Sequence, residues 1–269
     1  PAVEDFRRDA SLDDLYLAVA RFAVLAYAPS QHSKHAVWAA LAAYDLRDEM
    51  GERWEDLLIE CACYAAASRQ PWSDAPIMDP PDPGPGAADR AELQAAVDEH
   101  DRARAERWLA RTMSGDPRGD MMAVAARHSS DAIIMTDAAF RLATILGEKG
   151  RYVTLRMATW EMTATAASPP PSDEDLETLM KDGSLESAHA VFVFAATFGA
   201  PVSPPAPPWK GAGRIAIYNL ARDMAATLIA HAAVKRLRPH FPNAPFEEFL
   251  EAVHHNLETA PSLEDWSFA

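Results

Sequence analysis

Apolar residues recur at three- and four-residue steps along almost the whole chain, and that period leaves little room for anything but packed helices. Leu12, Leu15, Val19, Phe22 and Ala26 step along one face, behind a Ser11–Asp14 capping pair. Pro29-Ser30 ends this helix. The next carries His35 and runs to about Met50, with Gly51 as its C′ residue. Trp54, Leu57, Leu58, Cys61 and Tyr64 mark a third stripe, which stops near Pro71. Even RYVTLRMATW (151–160), with its β-branched residues, spaces Val153, Met157 and Trp160 for a helix. No strand is expected.

Prolines punctuate the pattern. PWSDAPIMDPPDPGPG (71–86) and GAPVSPPAPPWKGAG (199–213) lack backbone donors and have fixed φ, so both read as long loops. Between them a helix is expected from Ala88 through Trp108 to about Met113, broken by Gly115-Asp116-Pro117. A stretch from Asp120 to Leu146 follows, kinked at His128-Ser129-Ser130, then a turn from Gly147 to Gly150 and a helix from Tyr152 to Ala166. After Pro169-Pro170-Pro171 come a short acidic helix capped by Ser172, the helix of His189, a helix from Arg214 to Leu237, and one from Phe246 to Leu257. The expectation is all-α: one domain over 1–269, about ten helices around a central pocket, with halves 1–167 and 173–269 of similar layout.

The halves share an echo. SKHAVWAALA (33–42) and SAHAVFVFAA (187–196) both read Ser-x-His-Ala-Val-aromatic. With Ser33 and Ser187 as N-caps, His35 and His189 fall in first helical turns, where the positive helix end favours a neutral imidazole. Ser184 as the cap puts His189 one turn further in. A neutral imidazole at an apolar boundary suits a pocket wall. It equally suits a buried histidine satisfied by backbone.

Composition narrows the function. The net charge is −15, and no run of Lys or Arg is long enough for a phosphate-binding patch, which argues against nucleic acid and anionic membranes. No window offers ~18 uninterrupted apolar residues, so no membrane span is expected. The first residues, PAVEDFRRDASLDD, carry no apolar signal-peptide core, and the only cysteines, Cys61 and Cys63, point to different sides of a helix. A reduced, cytoplasmic setting is expected.

Three segments hold candidate chemistry. In AARHSSDAIIMTDAAF, His128 and Asp131 share a face if the helix is continuous, which makes an acid/base pair; Asp131 alternatively belongs to a helix start. Asp137, in an apolar run, needs a partner, and Arg141 is the nearest in sequence. In ARDMAATLIAHAAVKRL, Asp223, Thr227 and His231 form a polar stripe at i, i+4 and i+8. The catalytic candidates are therefore His128, Asp131, His231 and Asp223. The substrate-binding candidates are His35, His189, Trp38, Phe192 and Thr227. Convergence of His35, His128, His189 and His231 would suffice for a mononuclear metal site, although no His-Glu-x-x-His or paired Glu-x-x-His spacing is present.

The HAV segment at a helix start, the helices each carrying one inward histidine, and the Ala-rich stretches between resemble the questin oxidase-like helical proteins, over about Ser33 to Leu237. That resemblance implies an all-helical oxidoreductase using NADPH and oxygen to open an aromatic ring; it carries over no catalytic residue. The leading expectation is an oxidoreductase acting on a small apolar molecule in a histidine-lined pocket between helices, with NADPH or a metal ion as cofactor. The alternatives are a non-catalytic helical interaction module with structural histidines, and a metal-dependent hydrolase.

Overall fold

The computed structural model describes residues 11–27, 31–67, 79–164, 185–199, 224–244 and 246–259, with backbone alone for 31–33, 186, 224–230, 256 and 259. The fold is all-α. Its helices are α1 (Leu12–Leu25), α2 (Gln31–Asp45), α3 (Trp54–Ala67), α4 (Arg90–Asp98), α5 (Arg102–Thr112), α6 (Arg118–Ala126), α7 (Ser130–Leu146), α8 (Glu148–Ala164), α9 (Leu185–Phe198), α10 (Met224–Leu237) and α11 (Phe246–Thr259). A single turn, Arg47–Met50, and a 3₁₀ turn, Gly51–Arg53, link α2 to α3. No helix among the described residues is long and apolar enough to cross a membrane.

The Ser11–Asp14 capping box forms as expected: the Ser11 hydroxyl accepts from the Asp14 N–H at 3.2 Å and the Asp14 carboxylate accepts from the Ser11 N–H at 3.0 Å. Gly51 adopts φ +52° after the Arg47–Met50 turn. The expected helix from Ala88 to Met113 is instead two helices. Between α4 and α5, His100 takes φ +54°, the Asp101 N–H reaches back to Ala96 O at 2.9 Å, and the Asp101 side chain caps α5. This is a Schellman close with histidine where glycine is usual. The kink expected at 128–130 is likewise a full break, with Ser129 as the N-cap of α7. The expected turn at 147–150 is only Gly147, since α8 starts at Glu148.

Helix α7 lies at the centre. Ala132 through Ala139 are all buried, including Thr136 and Asp137, as are Leu142, Ala143 and Leu146. Burial on every side marks a helix walled by others; α1, α2, α6, α8 and α9 all pack against it. One hydrophobic core runs from Tyr16 on α1 to Val253 on α11. A satellite cluster of Val234, Ala244, Phe246 and Phe249 holds α10 to α11. Of the loop expected at 71–86, the described part is irregular, and Arg111 ties it down by donating to Pro83 O at 2.6 Å and Ala87 O at 3.2 Å.

Candidate functional site

Helices α2 and α7 lie side by side and run in the same direction. Lys34, Trp38, Leu41, Ala42 and Asp45 share one face of α2; Asp131, Ile134, Ala138 and Arg141 share one face of α7. Lys34 pairs with Asp131 at one end of the seam, and Arg141 with Asp45 at the other. The charges are reversed between the two ends, so an antiparallel packing of the same two faces would set like charges together.

Between the two pairs the seam opens into a cleft, roofed by His189 of α9 and by Ala232, Ala233 and Arg236 of α10. Its atom-free space is about 340 Å³ out to the mouth, but the free interior is about 30 Å³, room for about one or two waters. Small side chains make the space: Ala42, Ala138, Ala232 and Ala233 leave a gap that larger residues would fill.

The polar groups around the cleft form one network. Asp137, only 3% exposed, accepts from Arg118 at 3.2 Å and from Arg236 at 2.7 Å. Arg236 also donates to His189 Nε2 at 3.1 Å. A guanidinium only donates, so Nε2 is the acceptor and Nδ1 carries the proton. Burial, reinforced by the Arg236 charge, pushes the His189 pKa down to about 3, and the ring is neutral. Lys235 donates to Glu49 at 2.7 Å and to the Asp45 carbonyl. Two donors are exceptions to this satisfaction, the Nε–H of Arg118 and the indole of Trp38. Among the described residues, Trp54 donates to Ala43 O at 3.0 Å, Trp108 to Asp89 O at 2.7 Å, and Trp160 to Glu106. The Trp38 Nε1–H is buried and has no hydrogen-bond partner among the described residues.

At the far end of the seam sits a second polar centre. Lys34 bonds Glu161 at 3.0 Å as well as Asp131, and the Tyr27 hydroxyl donates to Glu161 at 2.6 Å. Burial, with the Glu161 charge beside it, holds the Tyr27 hydroxyl well above its ordinary pKa. Lys34 lies 5.8 Å from the Trp38 ring centre, so the indole separates the two centres.

The sequence candidates divide between these places. Trp38 and His189 line the cleft; Phe192 does not, and its ring centre lies 5.8 Å from the Arg236 guanidinium carbon. His35 is half-buried with its ring 5.8 Å from that of Trp38. Its helix begins at Gln31 and that of His189 at Leu185, so Ser33 and Ser187 are third helical residues rather than N-caps, and both histidines are fifth. His128 and Asp131 are not on one continuous helix: Asp131 bonds Lys34, while His128 stays in the turn before α7 with a buried Nε2 that has no partner. Asp137 pairs with Arg118 and Arg236, not with Arg141. His231 is fully buried, 4.6 Å from the Phe246 ring, with neither nitrogen bonded. Asp223 and the side chain of Thr227 lie outside the described residues. Of the metal candidates His35, His128, His189 and His231, none joins a group of three His, Cys, Asp or Glu able to hold a metal ion among the described residues. Cys61 and Cys63 are buried and unpaired, and burial pushes the Cys61 thiol up to about 12.

Residues missed in the sequence are Asp45, Arg118 and Arg236, which come to the site from separate helices. The one signal available was the similar spacing of Lys34/Asp45 (11 residues) and Asp131/Arg141 (10 residues) with opposite sign order, which bears on Asp45 alone. No family model matches the chain, and neither a curated protein nor a solved structure was found similar to it.

Proposed function

We propose that this protein binds and acts on a small molecule at the cleft between α2 and α7. One observation carries the reading: four helices bring an unpartnered buried indole N–H, an imidazole in a fixed tautomer and two guanidinium groups to one hollow. An interaction module with structural histidines accounts for His231 but not for Trp38. Burying an indole N–H without a partner costs about 1–3 kcal/mol, a cost that a bound ligand would relieve. The interior admits the polar head of a molecule, and a ring would have to lie across the mouth. For the reaction, the resemblance to questin oxidase-like proteins supplies the class to assay first, NADPH-dependent oxidation.

The test is a thermal-shift screen of small metabolites on the full chain and on Ala233→Leu, which fills the hollow without touching its polar groups. Compounds that stabilise the wild type should lose their effect in Ala233→Leu, while both proteins remain folded by circular dichroism. Equal stabilisation of the two proteins would place the site elsewhere, and an empty screen against a folded wild type would overturn the reading.

A further inference from the structure

The side chains that line the cleft say what class of group it takes. Asp45 pairs with Arg141, Asp137 pairs with Arg236, and His189 is neutral, so the charges of the lining cancel. Arg118 reaches Asp137 from outside the lining; its side chain is 38% exposed, and solvent screens its charge. A charged head group would therefore enter a buried space without a counter-charge of its own, which is costly. Hydrogen bonding is not balanced in the same way. Among the residues lining the hollow, Trp38 alone keeps a buried polar side-chain atom without a hydrogen-bond partner. That atom is the indole N–H, which donates and cannot accept. His189 has given its acceptor nitrogen to Arg236 and has only an N–H left to offer. No buried side-chain oxygen of the lining stands without a partner. A lining with no net charge, whose one unmet need is an acceptor, suits an uncharged group that accepts without donating.

We propose that the cleft binds a neutral carbonyl oxygen of its ligand, with the Trp38 indole N–H as the hydrogen-bond donor. A hydroxyl would meet the same donor, but it would bring an O–H for which the lining keeps no open buried acceptor. The free interior of about 30 Å³ has room for one or two waters, and so for a carbonyl group; the rest of the ligand extends through the mouth. Ala42, Ala138, Ala232 and Ala233 keep that space clear. This inference rests on the cleft being the ligand site, and its test separates the two.

The experiment titrates the ¹⁵N-labelled full chain with cyclopentanone, with cyclopentanol and with sodium cyclopentanecarboxylate at matched concentrations. Indole N–H resonances are followed by NMR, that of Trp38 being identified by its loss in Trp38→Phe. Cyclopentanone should shift the Trp38 resonance saturably, while those of Trp54, Trp108 and Trp160, whose N–H groups are already bonded, stay in place. Cyclopentanol and the carboxylate should bind about fivefold more weakly or worse, the difference one hydrogen bond makes. Ala233→Leu fills the hollow and touches no donor, so the cyclopentanone shift should vanish while the Trp38 resonance remains; unmoved Trp54, Trp108 and Trp160 resonances show that this variant is folded. Binding of cyclopentanol or the carboxylate as tight as that of the ketone, and lost in Ala233→Leu, would overturn the carbonyl inference and leave the ligand site standing. A Trp38 resonance that cyclopentanone does not move would overturn it too, and a nuclear Overhauser contact from that N–H to water would then identify water as the acceptor. A ketone shift that survives in Ala233→Leu would place the ketone outside the hollow, which also overturns the inference. Silence from all three probes, together with an empty screen, would overturn both readings.

Discussion

His189 and His231 are both buried, both on helices beside the seam, and both pushed down to a pKa of about 3. Their surroundings differ in one respect. His189 accepts a hydrogen bond from Arg236 and through it belongs to the Asp137 network, whereas His231 faces Phe246 with two unbonded nitrogens. Equal burial thus has opposite meanings. At His189 the cost of desolvation is offset by a bond that fixes the tautomer and holds a guanidinium at the cleft. At His231 it is offset by nothing among the described residues.

The largest expected effect comes from cutting the supported histidine out of its network. Arg236→Met leaves Asp137 with Arg118 alone and removes the donor to His189. A hydrogen bond to a charged group is worth about 1.5–3 kcal/mol, and because Arg118 stays on Asp137 a loss in that range is expected in urea denaturation. Adding Asp137→Asn should return part of it, because the neutral amide no longer needs a counter-charge. A loss under about 1 kcal/mol would show that the network braces nothing.

Acid should expose both histidines at once. In the unfolded chain each takes up a proton near pH 6.5; folded, each resists until about pH 3. The unfolded state therefore binds more protons as pH falls between those values, and stability falls with it; above about pH 7 neither site contributes any pH dependence. Each site adds a slope of up to about 1.4 kcal/mol per pH unit below pH 6. Half-buried His128, lowered by desolvation, adds to the same window. Urea midpoints at pH 7.5, 6 and 5 test this; half the slope would show one ring protonated in the folded state, and a flat profile both.

How much of this was legible in the sequence depends on how local the cause was. The Ser11–Asp14 cap is set by neighbours in sequence and was read correctly, whereas the helix expected to run to Met50 and close at Gly51 already ends at Asp45, with a separate turn over Arg47–Met50. The break at His100 went unread, because a left-handed residue other than glycine leaves no mark on the hydrophobic period. Ser33 and Ser187 looked like caps because serine often is one, yet both helices start two residues earlier. At the site, Trp38 and His189 stood out by residue type, but the partners that give them meaning did not. Asp137 finds Arg118 nineteen residues away and Arg236 ninety-nine away, while the nearer Arg141 is drawn to Asp45. Short-range spacing predicts helix-face neighbours. It does not predict which of several arginines a buried carboxylate chooses, since helix packing decides that.

The smallest expected effect discriminates best, since one substitution made at both positions should change stability with opposite signs. His231→Leu replaces an imidazole that has no hydrogen bond among the described residues by an apolar side chain of similar size, beside Phe246. It removes two unsatisfied polar atoms and should raise stability at pH 7.5 by about 1 kcal/mol. His189→Leu deprives Arg236 of an acceptor beside Asp137 and should lower stability by about as much. Below pH 6 the gain from His231→Leu should grow, because its share of proton uptake by the unfolded chain is gone. Paired urea denaturations at pH 7.5 and 5 measure all four values. Destabilisation by His231→Leu at both pH values would mean that its nitrogens have a partner, and the contrast between the two histidines would then be one of degree and not of kind.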